Sequence, residues 1–97
     1  MPTRETTART FRVVRVIDGD TFVVEYDGEP TSVRLWGFDA PEPREPGGEE
    51  ATAGLREMID GKVVRLEFPG DRKRDNFGRL LARVYVDEMQ VRAGGTE

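Results

Sequence analysis

Five β-rich runs punctuated by turn signals, with one helix-period stretch between the third and fourth, predict an α+β fold that is mainly strand. The first three runs follow one another through short turns, as an antiparallel meander does. The resulting order, β-β-β-α-β-β, matches a five-stranded Greek-key barrel of the OB type. Length agrees: 97 residues make one domain, and a domain of that size buries only somewhat above ~60% of the surface its unfolded chain exposes. Its core must be compact, and closing the sheet into a barrel removes exposed strand edges.

Each element has a local cause. Residues 9–17 are rich in β-branched and aromatic types and stop at Asp18-Gly19, after which Phe22 to Tyr26 resumes the pattern, so the pair reads as a hairpin. A second turn at Asp27-Gly28-Glu29-Pro30 leads into Thr31 to Phe38, where Val33, Leu35 and Gly37 alternate with Arg34, Trp36 and Phe38. Residues 40–48 hold three prolines and two glycines and read as an exposed loop. From Glu49 the period changes: Ala51, Leu55, Met58 and Ile59 share one helical face, Glu49 and Glu50 fall in the first turn, and Gly61 is placed to end the helix. Lys62 to Phe68 and Leu80 to Val86 alternate as strands four and five, and Met89 to Val91 extends a last hairpin. The domain is thus read as residues 9–91, with flexible segments at 1–8 and 92–97.

Composition narrows the chemistry. Without cysteine there is no disulfide, thiolate ligand or thiol nucleophile, and without histidine the usual general base and transition-metal ligand are missing. Acid-base work falls to carboxylates. No apolar run approaches the roughly 20 residues of a membrane span, and the polar start, Met1 to Thr10, is read as carrying no leader, so no membrane is expected as a partner. A net charge of −4 argues against gripping nucleic acid by bulk electrostatics. Local charge differs: arginine outnumbers lysine thirteen to two, and Arg72, Lys73, Arg74, Arg79 and Arg83 gather in the last third. A solvated surface of mixed charge is the plainer reading of that cluster.

Three segments and one strand residue carry chemistry together. Asp18-Gly19-Asp20-Thr21 is either a tight turn whose Gly and Asp accept positive φ or, with Asp39, a pair of strand-end carboxylates for a hard cation such as Ca²⁺, which takes oxygens at roughly 2.3–2.6 Å. Phe38-Asp39-Ala40-Pro41-Glu42-Pro43 is either a proline-stiffened loop or a rigid mount for Glu42 as a general base. Asn76-Phe77-Gly78-Arg79 reads as a hairpin turn with Gly78 left-handed and Arg79 exposed, or as the mount of a phosphate-binding arginine. Arg34, flanked by Val33, Leu35 and Trp36, needs an anionic partner, either an internal one, Asp39 or Glu42, or a phosphate. Two guanidiniums could clamp a phosphate bidentately.

Read together, Val16-Ile-Asp-Gly-Asp-Thr21, Val33-Arg-Leu-Trp-Gly-Phe-Asp-Ala-Pro-Glu42, Glu50-Ala-Thr-Ala53 and Asp75-Asn-Phe-Gly-Arg79 make the chain resemble the staphylococcal-nuclease-like (thermonuclease) family over residues 9–91. The resemblance implies an OB barrel and Ca²⁺-dependent hydrolysis of DNA and RNA phosphodiesters, leaving 3′-phosphates with low sequence specificity. By position it implies that Asp20 and Asp39 ligate Ca²⁺ and that Ala40 offers its carbonyl where the family commonly has threonine. It implies that Glu42 is the general base, that Arg34 and Arg79 bind the phosphate, and that Asp18 is a supporting acid. Tyr85 is the candidate for stacking on bases of single-stranded or locally unpaired substrate. Family members usually continue into C-terminal helices, so this chain reads as a short form whose uncovered barrel surface would suit a homodimer. Export is frequent in the family. The alternative function is a non-catalytic OB module that binds nucleic acid or a protein.

Overall fold

The computed structural model describes residues 9–70 and 73–95. The elements are β1 (Thr10–Asp18), β2 (Thr21–Tyr26), β3 (Glu29–Leu35), α1 (Gly48–Ile59), β4 (Val63–Glu67), β5 (Leu80–Val86), a short β6 (Met89–Gln90) and a 3-10 turn (Ala93–Gly95). Alternation sets the face of each strand. In β5, Leu80, Ala82, Val84 and Val86 are buried while Leu81, Arg83 and Tyr85 lie half-buried on the outside. In β4, Val64 and Leu66 point in and Arg65 and Glu67 out.

The pairing closes a ring. β1 lies antiparallel to both β2 and β4, β2 to β3 and β4 to β5, and a parallel pairing of β3 with β5 completes a five-stranded mixed barrel. With one helix between β3 and β4, this is the OB-type α+β architecture expected. Two register slips in β1, at Val13/Arg15 and Val16/Asp18, bend that strand so that it serves both halves of the barrel. Phe22, Leu35 and Leu80 fill the interior, and α1 closes one end with Leu55 and Ile59, all fully buried. Each such side chain contributes about 1.5–3 kcal/mol by leaving water. None of the described helices is long and apolar enough to cross a membrane.

Two local expectations change. β3 begins at Glu29 and ends at Leu35, not Phe38, because Gly37 turns left-handed at φ +86° and takes the chain off the sheet. Pro30 sits in the half of the strand that only β2 pairs, where a proline is tolerated. Asp39 therefore stands on a loop four residues beyond the strand rather than at its end. Gly19, in turn, is not needed for positive φ. A Cβ there would meet the Cβ atoms of Ala51 and Ala40 at 2.6 and 2.7 Å, so its missing side chain is what lets α1 and the Ala40 loop close on the β1–β2 turn. Residues 93–95 lie against α1, with the Gly94 N–H donating to the Gly19 carbonyl at 2.8 Å. Arg72 and residues 1–8, 96 and 97 fall outside the described residues.

Candidate nuclease site

Arg34 is the centre of the site. It is paired in register with Thr21 of β2 and Leu81 of β5, so the strands on both sides fix its backbone. Nη1 donates to the carbonyls of Leu35, at 2.8 Å, and of Phe38. Nη2 bonds the Asp39 carboxylate and lies 3.7 Å from Asp20 Oδ2. Of the two internal partners expected for Arg34, Asp39 is the one used. Because an ion pair reaches about 4 Å, two carboxylates that share one nitrogen stand no more than about 8 Å apart.

Asp20 is buried, and both of its carboxylate oxygens are hydrogen-bonded. Oδ1 accepts from the Thr21 hydroxyl at 2.8 Å and Oδ2 from the Ala40 N–H at 2.9 Å, while the Asp20 N–H donates to Asp18 Oδ1 at 3.1 Å. Burial pushes the Asp20 carboxyl up, but the hydrogen bonds of Asp18, Ala40 and Thr21 and the Arg34 charge outweigh it and hold Asp20 below the ordinary carboxylate value. Asp18 moves the other way: burial raises it, and the adjacent Asp20 carboxylate adds to the rise. Of the two, Asp20 is therefore the one that gives up its proton at the lower pH.

Arg79 reaches the same open pocket, about 430 Å³ and lined by Arg34, Trp36, Phe38, Asp39, Asp75 and Arg79 among others. Its position depends on Asp75, to which no role was assigned from sequence. Asp75 Oδ1 accepts from the N–H groups of Phe77 and Arg79, both at 2.9 Å, and Oδ2 accepts from Arg79 Nε at 2.8 Å. One carboxylate thus folds the 75–79 turn and aims the guanidinium, whose other four N–H donors lie on Nη1 and Nη2. The signal was present as an acid four residues before the arginine with a glycine between, here left-handed at Gly78.

Glu42 and Tyr85 stand apart from this group. Glu42 is exposed and does not line the pocket; its main chain is anchored, with its N–H donating to Glu45 Oε1 and its carbonyl accepting from the Glu45 N–H, both at 2.8 Å. Tyr85 lies on the outer face of β5, about 13 Å along the strand from Leu81. The Arg65 guanidinium covers its ring at 4.3 Å.

The donor set can be tested for a metal. Among the described residues no three acidic side chains converge. Asp20 and Asp39 come close, Asp39 with its side chain 90% exposed, and each carboxylate has about four acceptor sites, more than its present bonds use. That set fits a hard cation completed mostly by water, and not a cage of protein carboxylates. Arg34 Nη2, which now bridges the two acids, would have to yield its place.

Comparison with known proteins agrees with this frame. The model of the staphylococcal nuclease homologue family matches residues 32–94. The chain is 41% identical over 83 residues to endonuclease YncB of Bacillus subtilis, covering 79% of this chain and 39% of that protein. It is 39% identical over 84 residues to the thermonuclease of Staphylococcus hyicus, covering 80% and 49%. To an uncharacterized endonuclease of Escherichia coli O157:H7 it is 37% identical over 89 residues, covering 86% and 56%. The chain thus spans about half the length of these relatives or less. On the match from β3 to the 3-10 turn and on identities near 40%, the chain belongs to the staphylococcal nuclease homologue family.

Proposed function

We propose that the domain hydrolyses phosphodiester bonds of DNA and RNA with Ca²⁺ as cofactor, leaving 3′-phosphates. The observation that carries the reading is the convergence of Arg34 and Arg79, from β3 and from the turn before β5, on one open pocket beside Asp39 and above buried Asp20. Asp75 holds Arg79 through Nε and leaves its Nη donors for a phosphate, while the exposed Asp39 carboxylate on Arg34 Nη2 is one that a phosphate can replace. Asp20 and Asp39 would hold the ion, joined by the Ala40 carbonyl. When bound, Ca²⁺ supplies Lewis-acid polarisation of a phosphoryl oxygen. Arg34 and Arg79 neutralise charge on the equatorial oxygens as it develops. Glu42 takes a proton from the attacking water, a phosphorus–oxygen bond forms in line, and the bond to the 5′-oxygen breaks, that oxygen leaving as a hydroxyl with a proton taken from solvent water.

For Glu42 to act, its exposed carboxylate must reach a water at the pocket from the Pro41–Pro43 loop. That requirement favours a second reading, the non-catalytic OB module, in which the arginines bind phosphate and no proton is moved. The two separate in one experiment. Single-stranded DNA with millimolar Ca²⁺ is expected to be cleaved to 3′-phosphate ends, cleavage to stop on chelation, and Glu42→Gln to lose most of the rate while still binding the strand. Full activity in Glu42→Gln would sink the mechanism, and binding without cleavage at any Ca²⁺ concentration would establish the module.

A further inference from the structure

The outer face of β5 carries a repeated arrangement that extends beyond the phosphate pocket. The Arg83 guanidinium lies 5.0 Å from the Trp36 ring and the Arg65 guanidinium 4.3 Å from the Tyr85 ring. Register produces the repeat. Arg34 pairs with Leu81 across the parallel β3–β5 seam and the Trp36 N–H donates to the Ala82 carbonyl, which sets Trp36 beside Arg83. On the other side, Arg65 and Tyr85 are direct partners of the β4–β5 ladder. Glu67, the register partner of Arg83, accepts from Arg83 Nη1 at 3.0 Å and from the Tyr85 hydroxyl at 3.3 Å, and so ties the two pairs together. Trp36 is 40% exposed and also lines the phosphate pocket, so the row starts at that pocket.

From this we infer that the Trp36–Arg83 and Tyr85–Arg65 pairs form a track for single-stranded nucleic acid leading away from the Arg34–Arg79 pocket. Rings and guanidinium planes take the bases by stacking, and the free guanidinium donors take the phosphates. From Arg79 to Tyr85 the row runs about 20 Å along the strand, enough for the short end of the roughly 4–16 nucleotides an OB barrel covers. Glu67 and Asp75 offset part of the arginine charge, so stacking rather than bulk attraction sets the affinity. A duplex keeps its bases stacked inside and offers nothing to these rings. The inference rests on the nuclease reading for its direction, since the strand is read outward from the cleaved phosphate.

Trp36 is the only tryptophan in the chain, which makes its emission a direct reporter. Hexathymidylate and hexauridylate, titrated into the full chain under chelation to prevent cleavage, are each expected to quench that emission saturably. They are also expected to bind at least tenfold more tightly than the corresponding dinucleotides. Arg83→Ala and Tyr85→Ala should each weaken the hexamers by about fivefold to a hundredfold, the range for one lost stacking partner. Hexamers that bind by anisotropy without changing the emission, or that bind both variants as tightly as the unaltered chain, would overturn the track and leave the nuclease reading standing. Absence of both binding and Ca²⁺-dependent cleavage would overturn the two together. The emission readout on the unaltered chain holds whether or not a variant folds.

Discussion

Replacing Gly48 by alanine tests how the Glu42 loop is held. Gly48 opens α1, and a Cβ built on it would stand 1.8 Å from the Glu42 carbonyl oxygen, 2.6 Å from the Glu42 carbonyl carbon and 2.8 Å from the Pro43 Cα. All three are backbone atoms, so no side chain can rotate out of the way. To reach the 3.4 Å at which ordinary contact begins, the loop must retreat by roughly 1.6 Å. Overpacking of this kind costs about 1–3 kcal/mol, and alanine's helix propensity returns up to about 1 kcal/mol. A net loss of about 1–2 kcal/mol lowers Tm by roughly 4–16 °C in a domain of this size. The catalytic cost should be larger, because displacing a reacting group by about 1 Å can cost on the order of 100-fold in rate. Steady-state cleavage of a DNA oligonucleotide, measured 20 °C or more below both melting points, reads that cost. Ile59→Val is the control: it removes one buried methyl at the far end of the same helix for about 0.5–1.5 kcal/mol and should leave kcat within about twofold. The reasoning fails if Gly48→Ala keeps full kcat, or if Ile59→Val loses as much.

Arg34→Lys should lower kcat/KM by roughly 100-fold or more, because an ammonium cannot satisfy the Leu35 and Phe38 carbonyls and both carboxylates from one planar fork; near-normal kinetics in the lysine variant would rule out a fork-dependent role. Asp75→Asn gives a pH signature. Burial pushes the Asp75 carboxyl up, but the N–H groups of Arg79 and Phe77 and the Arg79 guanidinium outweigh it and hold it below the ordinary value. A depressed folded pKa stabilises fully above the unfolded value of about 3.9 and is lost as pH falls through the folded value. The Tm advantage of the unaltered chain over Asp75→Asn should therefore be constant above about pH 5 and close in stronger acid, and a difference independent of pH would refute the assignment.

Much of the frame was legible because it is local. The turn at Asp27-Gly28, the period change at Glu49 and the alternation of Leu80 to Val86 each act over a few residues, and all appear where they were read. Arg34 was legible as a buried charge in need of an anion. What escaped depends on distant parts of the chain. Gly19 and Gly48 look in sequence like any turn or cap glycine, yet each is required by atoms 20 or more residues away or across a loop. Asp75 was read as part of a motif and not as the group that aims Arg79, since only the folded turn shows both its oxygens in use. Trp36 was read as one of the alternating residues of a strand that in fact ends before it, so its place beside Arg83 was out of view.

The parallel seam has a kinetic meaning. Val33 and Leu80 meet across about 47 residues of chain, far more than the β1–β2, β2–β3 and β4–β5 hairpins span and close to the 51–55 of the β1–β4 pairing. Closing a loop of that length costs on the order of 3 kcal/mol in chain entropy before any contact compensates, so this join, like β1–β4, forms after the local hairpins. Arg34 and Leu81 sit on it, and Arg79 directly precedes it. The pocket between Arg34 and Arg79 thus comes into being only when the cylinder shuts, and a partly opened barrel, however much of its meander survives, is a protein without it.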